Sequence, residues 1–155
     1  LHHRSPGPVG AALADDRVVL EIIADGVHLH PDIVRIAASA AAGRVALVTD
    51  AMAAAGAADG SYRLGALDVE VAGGVAHVVG TDTIAGSTLT QDAALRVTVG
   101  AGVPLAVAVR ALTETPARVL GREDLGTLEP GRLADAVLLT ADLRVARVWL
   151  AGEPA

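Results

Sequence analysis

The residues best suited to chemistry stand just beyond two short apolar runs. Asp50 follows Arg44-Val45-Ala46-Leu47-Val48-Thr49, a continuous run that reads as a buried strand. In parallel α/β folds ligands gather outside the carboxyl ends of the strands, so an acid at that point is well placed to act. Its alternative role is a turn or helix-capping aspartate; the residues that follow, Ala51-Met52-Ala53, are a poor turn sequence and favour function. His28 and His30 come after a second apolar run, Val18 to Ala24, and the turn Asp25-Gly26. In an extended segment residues i and i+2 share a face, as a metal-binding pair would. The competing reading has one imidazole bonded to a backbone carbonyl and the other solvated, and the lack of a partner carboxylate set weighs towards it. Arg4 carries a guanidinium fork that suits phosphate or carboxylate, with a solvated side chain as the alternative. His2 and His3, adjacent on a polar stretch, read as surface residues, and His77 as structural. Thr83-Ile84-Ala85-Gly86-Ser87 leads towards a helix and offers backbone N–H groups to a ligand. No Walker motif or G-x-G-x-x-G is present, so a nucleotide reading has little support.

The elements that must position these residues follow from apolar spacing. Residues 2–10, punctuated by Pro6, Gly7 and Pro8, read as a loop. Val18 to Ala24 reads as a strand, Pro31 to Gly43 as a helix with Ile33, Val34, Ile36 and Ala37 on one face, and Arg44 to Thr49 as a second strand. Strand, helix and apolar strand in succession are the pattern of a parallel sheet covered by helices. Ala51 to Asp59 reads as a mobile loop. Leu67–Val71 and Val75–Val79, joined by Ala72-Gly73-Gly74, make a hairpin. Leu89–Gly100 and Pro104–Leu120 read as helices, the first capped by Ser87 or Thr88 and the second divided at Pro116. Ala134–Thr140 and Leu143–Leu150 alternate like strands of a small sheet.

Composition narrows the class. The 155 residues are 52% hydrophobic, yet Tyr62 and Trp149 are the only aromatic ones, so the core must be built from Ala, Val, Leu and Ile. The net charge is −6, every one of the 12 cations is Arg, and no basic run exists to bind nucleic acid or an anionic membrane. No apolar run approaches the roughly 20 residues of a membrane span. The absence of cysteine removes thiolate metal sites and disulfides and suits a cytoplasmic location. A first residue other than Met suggests that further chain precedes Leu1.

Five segments, read in order, resemble N-acetylglucosamine-6-phosphate deacetylases of the amidohydrolase superfamily: Leu1-His2-His3-Arg4-Ser5-Pro6-Gly7 with Val9-Gly10-Ala11-Ala12; Ala24-Asp25-Gly26-Val27-His28-Leu29-His30-Pro31; Leu47-Val48-Thr49-Asp50-Ala51-Met52; Gly80-Thr81 with Ile84-Ala85-Gly86-Ser87 and Leu89-Thr90; and the superfamily ending Gly126-Thr127-Leu128-Glu129-Pro130-Gly131-Arg132-Leu133-Ala134-Asp135. The resemblance implies an α/β chain that is the C-terminal part of a metal-dependent (β/α)8 TIM barrel plus the C-terminal strands of a small β-sandwich. Residues 1–123 would be the barrel portion, with a hairpin insertion at about 62–79, and residues 124–155 the sandwich strands. It implies hydrolysis of the acetamide of N-acetylglucosamine 6-phosphate, with Asp50 as general base and acid. Asp25, Gly26, Val27 and His28 would bind substrate, Arg4 its phosphate, and Ile84, Ala85 and Gly86 would close over the sugar. A divalent metal, zinc or iron, would serve the complete enzyme, but the family's ligands, a Glu and two His, lie upstream of the stretch matching Leu1, so this chain would hold none and be inactive alone. The family's dimers imply a homodimer in which Arg4 and His28 act in trans. Thr81-Asp82-Thr83 carries one residue more than the family's usual run.

Two other readings compete. One is an amidohydrolase acting on a cyclic amide, which the Arg4 and A-D-G-x-H-x-H-P segments disfavour. The other is a non-catalytic piece that assembles with a separate chain through open strand edges.

Overall fold

A computed structural model describes residues 2–155; Leu1, which opens the first motif, lies outside the described residues. The elements run α1 (Gly7–Ala14), β1 (Leu20–Ile23), α2 (Pro31–Ala40), β2 (Val45–Val48), β3 (Gly60–Leu64), β4 (Leu67–Ala72), β5 (Val75–Val78), α3 (Gln91–Gly100), α4 (Leu105–Leu112), α5 (Glu114–Val119), β6 (Ala136–Leu139), β7 (Val145–Leu150) and β8 (Glu153–Pro154).

The first unit is the strand–helix–strand crossover that the apolar pattern calls for. β1 and β2 pair in parallel with Leu20 opposite Val45 and Ile23 opposite Val48. Their inward residues Ile22, Val45 and Leu47 pack with Val34 of α2, Leu89, Ala94 of α3 and Ala111 of α4. With almost no aromatic volume available, this core relies on small side chains that let helices approach the sheet closely. Arg44, just ahead of β2, ties the preceding segment to it. Its guanidinium donates to the carbonyl oxygens of Leu13 at 2.9 Å, Asp15 at 3.0 Å and Val18 at 2.6 Å. Among the described residues the Leu13 and Val18 oxygens have no other donor, whereas the Asp15 oxygen also accepts the Val18 N–H at 3.0 Å.

A second sheet, β3-β4-β5, is antiparallel throughout. The sequence suggested only the β4–β5 hairpin; β3 completes it, with Tyr62 opposite Val69. Residues 51–59 are anchored to this sheet instead of forming an open mobile loop, because Met52 and Ala54 are buried with Val69, Val71, Ala76 and Ala85. A third sheet, β6-β7-β8, reaches the helices through Leu139 and Leu143, which pack on Leu95, Val103 and Ala108.

Three helix boundaries differ from expectation, each for a local reason. Residues 7–14 are helical, not loop: Pro8 is preorganised for a first turn, and Ala11-Ala12-Leu13-Ala14 is strongly helix-forming. The α4–α5 break falls at Thr113, three residues before Pro116. A proline clashes with the carbonyl four residues earlier, here Leu112, so α4 stops there and Pro116 sits in the first turn of α5. α3 starts at Gln91, and neither Ser87 nor Thr88 caps it; the Thr90 hydroxyl donates to the Asp92 carboxylate at 2.5 Å.

Arg44→Met retains the aliphatic stem and removes the charged donors from three partly buried carbonyls. It is expected to lower stability by roughly 2–3 kcal/mol, measured by urea unfolding; an unchanged midpoint would refute the role given to this side chain.

Candidate active site

The parallel register of β1 and β2 carries past both strands. Asp25 lies two residues after Ile23 and Asp50 two residues after Val48, and those end residues are partners. Both acids therefore leave the same edge of the sheet. A cleft of about 250 Å3 opens at this edge, with Asp25, Val27 and His28 on one side and Gly73 and Gly74 of the β4–β5 turn, Ile84, Gly86 and Thr88 among its other walls.

Asp25 and His28 form one unit. The Asp25 Oδ1 accepts the backbone N–H groups of Val27 at 2.9 Å and His28 at 2.8 Å, while Oδ2 meets His28 Nδ1 at 2.7 Å. Because an ionised carboxylate only accepts, Nδ1 carries the hydrogen. The imidazole is thereby fixed in orientation, and its Nε2 has no hydrogen-bond partner among the described residues. The pair is largely enclosed, with 22% of the His28 and 12% of the Asp25 side chain exposed. Burial pushes the Asp25 carboxyl up, but the His28 ring and the N–H groups of His28 and Val27 together outweigh it and hold the group below its ordinary value of 3.8.

Asp50 adopts φ 50°, a left-handed conformation that a non-glycine residue takes at an energetic cost and that clusters at functional sites. The side chain is exposed, not folded back on the sheet floor. Its carbonyl accepts the Ser87 N–H at 2.8 Å, and the Ser87 carbonyl accepts the Met52 N–H at 2.9 Å. The buried Ser87 hydroxyl donates to the Thr49 carbonyl. Ser87 thus splints the chain on both sides of Asp50. Gly86, φ 67°, lies so close that a Cβ there would stand 3.0 Å from the Asp50 carbonyl oxygen and 3.4 Å from Met52 Cβ.

The remaining expected residues separate into two groups. Gly26 is exposed within the turn between Asp25 and Val27; of the other three, Gly86 lies against Asp50 while Ile84 bridges to His77, and Asp50 itself stands next to the cleft without lining it. Ala85 is buried, with its N–H on the Ala76 carbonyl at 3.0 Å. The N–H groups of Ala85 and Ser87 are consequently spent inside the protein, and the segment does not present them to a ligand as its helix-leading sequence suggested. Arg4 is exposed and is not part of the cleft lining; its backbone N–H meets His2 Nδ1 at 3.3 Å. His2 and His3 stack on the surface with centroids 4.5 Å apart. His30 precedes α2 and accepts the Asp32 N–H at 3.2 Å, a capping role. His77 lies in β5, and its buried Nδ1 has no partner among the described residues. Among the described residues no three His, Asp or Glu side chains gather to hold a metal ion. Sequence reasoning missed Thr88 and Gly73-Gly74 as cleft residues; only the pairing of two separated segments reveals them.

Comparison with known proteins fixes the lineage. The amidohydrolase family model matches residues 2–155. The chain belongs to the amidohydrolase family. Among curated relatives, this amidohydrolase chain is 45% identical to a putative N-acetylgalactosamine-6-phosphate deacetylase of Escherichia coli K12, covering 99% of the chain and 92% of the relative. It is also 45% identical to N-acetylgalactosamine-6-phosphate deacetylase of E. coli O157:H7, over 99% of the chain but 41% of the relative. A solved mutant of the N-acetyl-D-glucosamine-6-phosphate deacetylase of Mycobacterium smegmatis, in complex with N-acetyl-D-glucosamine-6-phosphate, superimposes with a TM-score of 0.94 at 47% identity, covering 99% of the chain and 42% of that structure. The amidohydrolase chain thus spans about two fifths of the latter two proteins, and its sheets and helices are those of a partial TIM barrel with sandwich strands.

A carboxyl depressed below its unfolded value contributes stability above the unfolded pKa and loses it as pH falls through the folded value. The chain is expected to lose stability on acidification below about pH 4, the ordinary carboxylate range, and Asp25→Asn to lack that part of the dependence; superimposable profiles in thermal unfolding against pH would disprove it. Gly86→Ala is expected to lower stability by about 1–2 kcal/mol through the strained φ and the clash at the Asp50 carbonyl, as measured by denaturant unfolding.

Proposed function

We propose that this chain is the C-terminal portion of an enzyme that hydrolyses the acetamide of N-acetylglucosamine 6-phosphate to glucosamine 6-phosphate and acetate. The observation that carries this reading is the placement of Asp50: a strained, exposed carboxylate at the end of β2, splinted by Ser87 beside the cleft that holds the Asp25–His28 pair. The names of the relatives support the substrate class. Within this reading residues 1–123 are the barrel portion and 124–155 the sandwich strands.

Each residue then has a task. Asp50 takes a proton from water as the water oxygen bonds to the acetyl carbonyl carbon. When the C–N bond breaks, Asp50 returns the proton to the leaving amine nitrogen, so that acetate and a free amine result. His28, its Nδ1 fixed by Asp25, turns Nε2 towards a substrate oxygen. Val27 lines the same wall with Gly26 in the turn before it, and Ile84 and Gly86 line the cleft on either side of the buried Ala85. Arg4 binds the phosphate; since it is exposed and off the cleft of its own chain, we place it against the cleft of a neighbouring subunit in a homodimer.

Members of the amidohydrolase family generally use a divalent metal ion, zinc or iron in this reading. Among the described residues no group of three His, Asp or Glu side chains is placed to hold one, and none of the steps above passes through it. No helix among the described residues is long and apolar enough to cross a membrane, and a cytoplasmic enzyme fits the cysteine-free composition.

The test is acetate release from N-acetylglucosamine 6-phosphate, set beside the unphosphorylated sugar and a cyclic amide. The complete enzyme is expected to prefer the phosphorylated sugar, the 155-residue chain alone to show no turnover, and Asp50→Asn in the complete enzyme to lower kcat by about 100-fold or more. Preference for the cyclic amide, or an Asp50→Asn enzyme with unreduced kcat, would overturn the assignment.

A further inference from the structure

Resting on the deacetylase reading, a second feature of the cleft bears on which sugar it accepts. The β4–β5 turn, Ala72-Gly73-Gly74-Val75, has both central residues at positive φ, 59° and 77°. This is the two-residue hairpin turn that matches strand twist and that glycine adopts without strain. The turn belongs to the small antiparallel sheet, yet Gly73 and Gly74 line the cleft on which Asp25 and His28 also open.

Two side chains from different segments hold this turn. The Asp59 carboxylate accepts the Gly73 N–H at 2.5 Å and the Gly74 N–H at 3.2 Å. The Thr88 hydroxyl donates to the Gly74 carbonyl at 2.5 Å. Thr88 also lines the cleft and directly follows Ser87, whose N–H and hydroxyl secure the backbone at Asp50 and Thr49. The wall is therefore indexed to the acid–base residue through one covalent step.

We infer that this clamped glycine turn is a specificity wall that discriminates between hexosamine 6-phosphates by the orientation of a ring hydroxyl, with Asp59 and Thr88 as its positioning residues. A hexose ring offers C–H faces and a hydroxyl rim. The turn offers backbone without side chains, and both its N–H groups and the Gly74 carbonyl are already satisfied. A C–H face packs against such a surface at no loss, whereas a hydroxyl turned towards the Gly73 and Gly74 N–H groups or the Gly74 carbonyl gives up water for groups already engaged. Removing the Thr88 hydroxyl frees the Gly74 carbonyl as an acceptor and relaxes the discrimination.

The experiment measures kcat/KM of the complete enzyme for N-acetylglucosamine 6-phosphate and N-acetylgalactosamine 6-phosphate, which differ only at C4. Thr88→Val is expected to shrink the ratio between the two roughly tenfold, mainly through KM of the disfavoured epimer. Thr88→Ser, which keeps the hydroxyl, is expected to retain the wild-type ratio, and Asp59→Ala to shrink it as Thr88→Val does. Amide hydrogen exchange at Gly73 and Gly74 in the wild-type enzyme is expected to slow when the preferred sugar phosphate is added, a readout independent of any variant's folding. A wild-type enzyme that releases no acetate from either epimer overturns the deacetylase reading and this inference with it. An active wild type whose Thr88→Val form keeps its epimer ratio, or whose Gly73 and Gly74 amides ignore the ligand, overturns this inference alone.

Discussion

Parallel pairing of two four-residue strands is the constraint from which the site follows. Ile23 opposite Val48 fixes where each chain leaves the sheet, and because parallel strands point the same way, the acid beyond each must emerge at a common edge. Neither acid needs the other to be placed there. The pairing is maintained by the small-residue core beneath it, where Val34, Ala94 and Ala111 meet Ile22 and Leu47. Burial of Ile22, Val45 and Leu47 on one face of the pair, with Glu21 exposed on the other, sets a register that a one-residue slip would destroy, since every inward side chain would turn outward.

The two acids then diverge in role through their surroundings. Asp25 is engaged by three donors, two backbone N–H groups and an imidazole. Its work is to orient His28. Asp50 has its backbone secured and its carboxylate free. The proton exchange proposed for Asp50 needs this division, with a rigid attachment and an uncommitted head group. The left-handed backbone at Asp50 is the local expense of directing that head group away from the sheet.

The crossover unit was legible in the sequence because its signals are local: apolar runs of strand length, a proline at a helix start, and turn residues between them. The β4–β5 hairpin was legible for the same reason, from Gly73-Gly74. β3 was not, because Gly60-Ser61-Tyr62-Arg63-Leu64 has little apolar content and becomes a strand only by pairing with Leu67–Val71. Asp50 and His28 stood out by position after strands, but the Asp25–His28 bond did not, since an aspartate before glycine reads equally well as a turn. Thr88 stayed hidden because its partner, Gly74, is fourteen residues away and the contact exists only once the sheet folds over the cleft. Helix α1 was obscured by prolines that commonly signal loops, although Pro8 at a first turn promotes the helix.

Arg44 gives the architecture a further property. It lies at the entry of the strand that Asp50 terminates, roughly 20 Å away along extended backbone, and it grips the turn after α1. The segment bearing Arg4 therefore takes its bearings from the floor of the sheet, while Asp50 takes its own from the mouth. A single strand serves as the common ruler for both, so a shift of the arm reaches Asp50 through the far end of that strand.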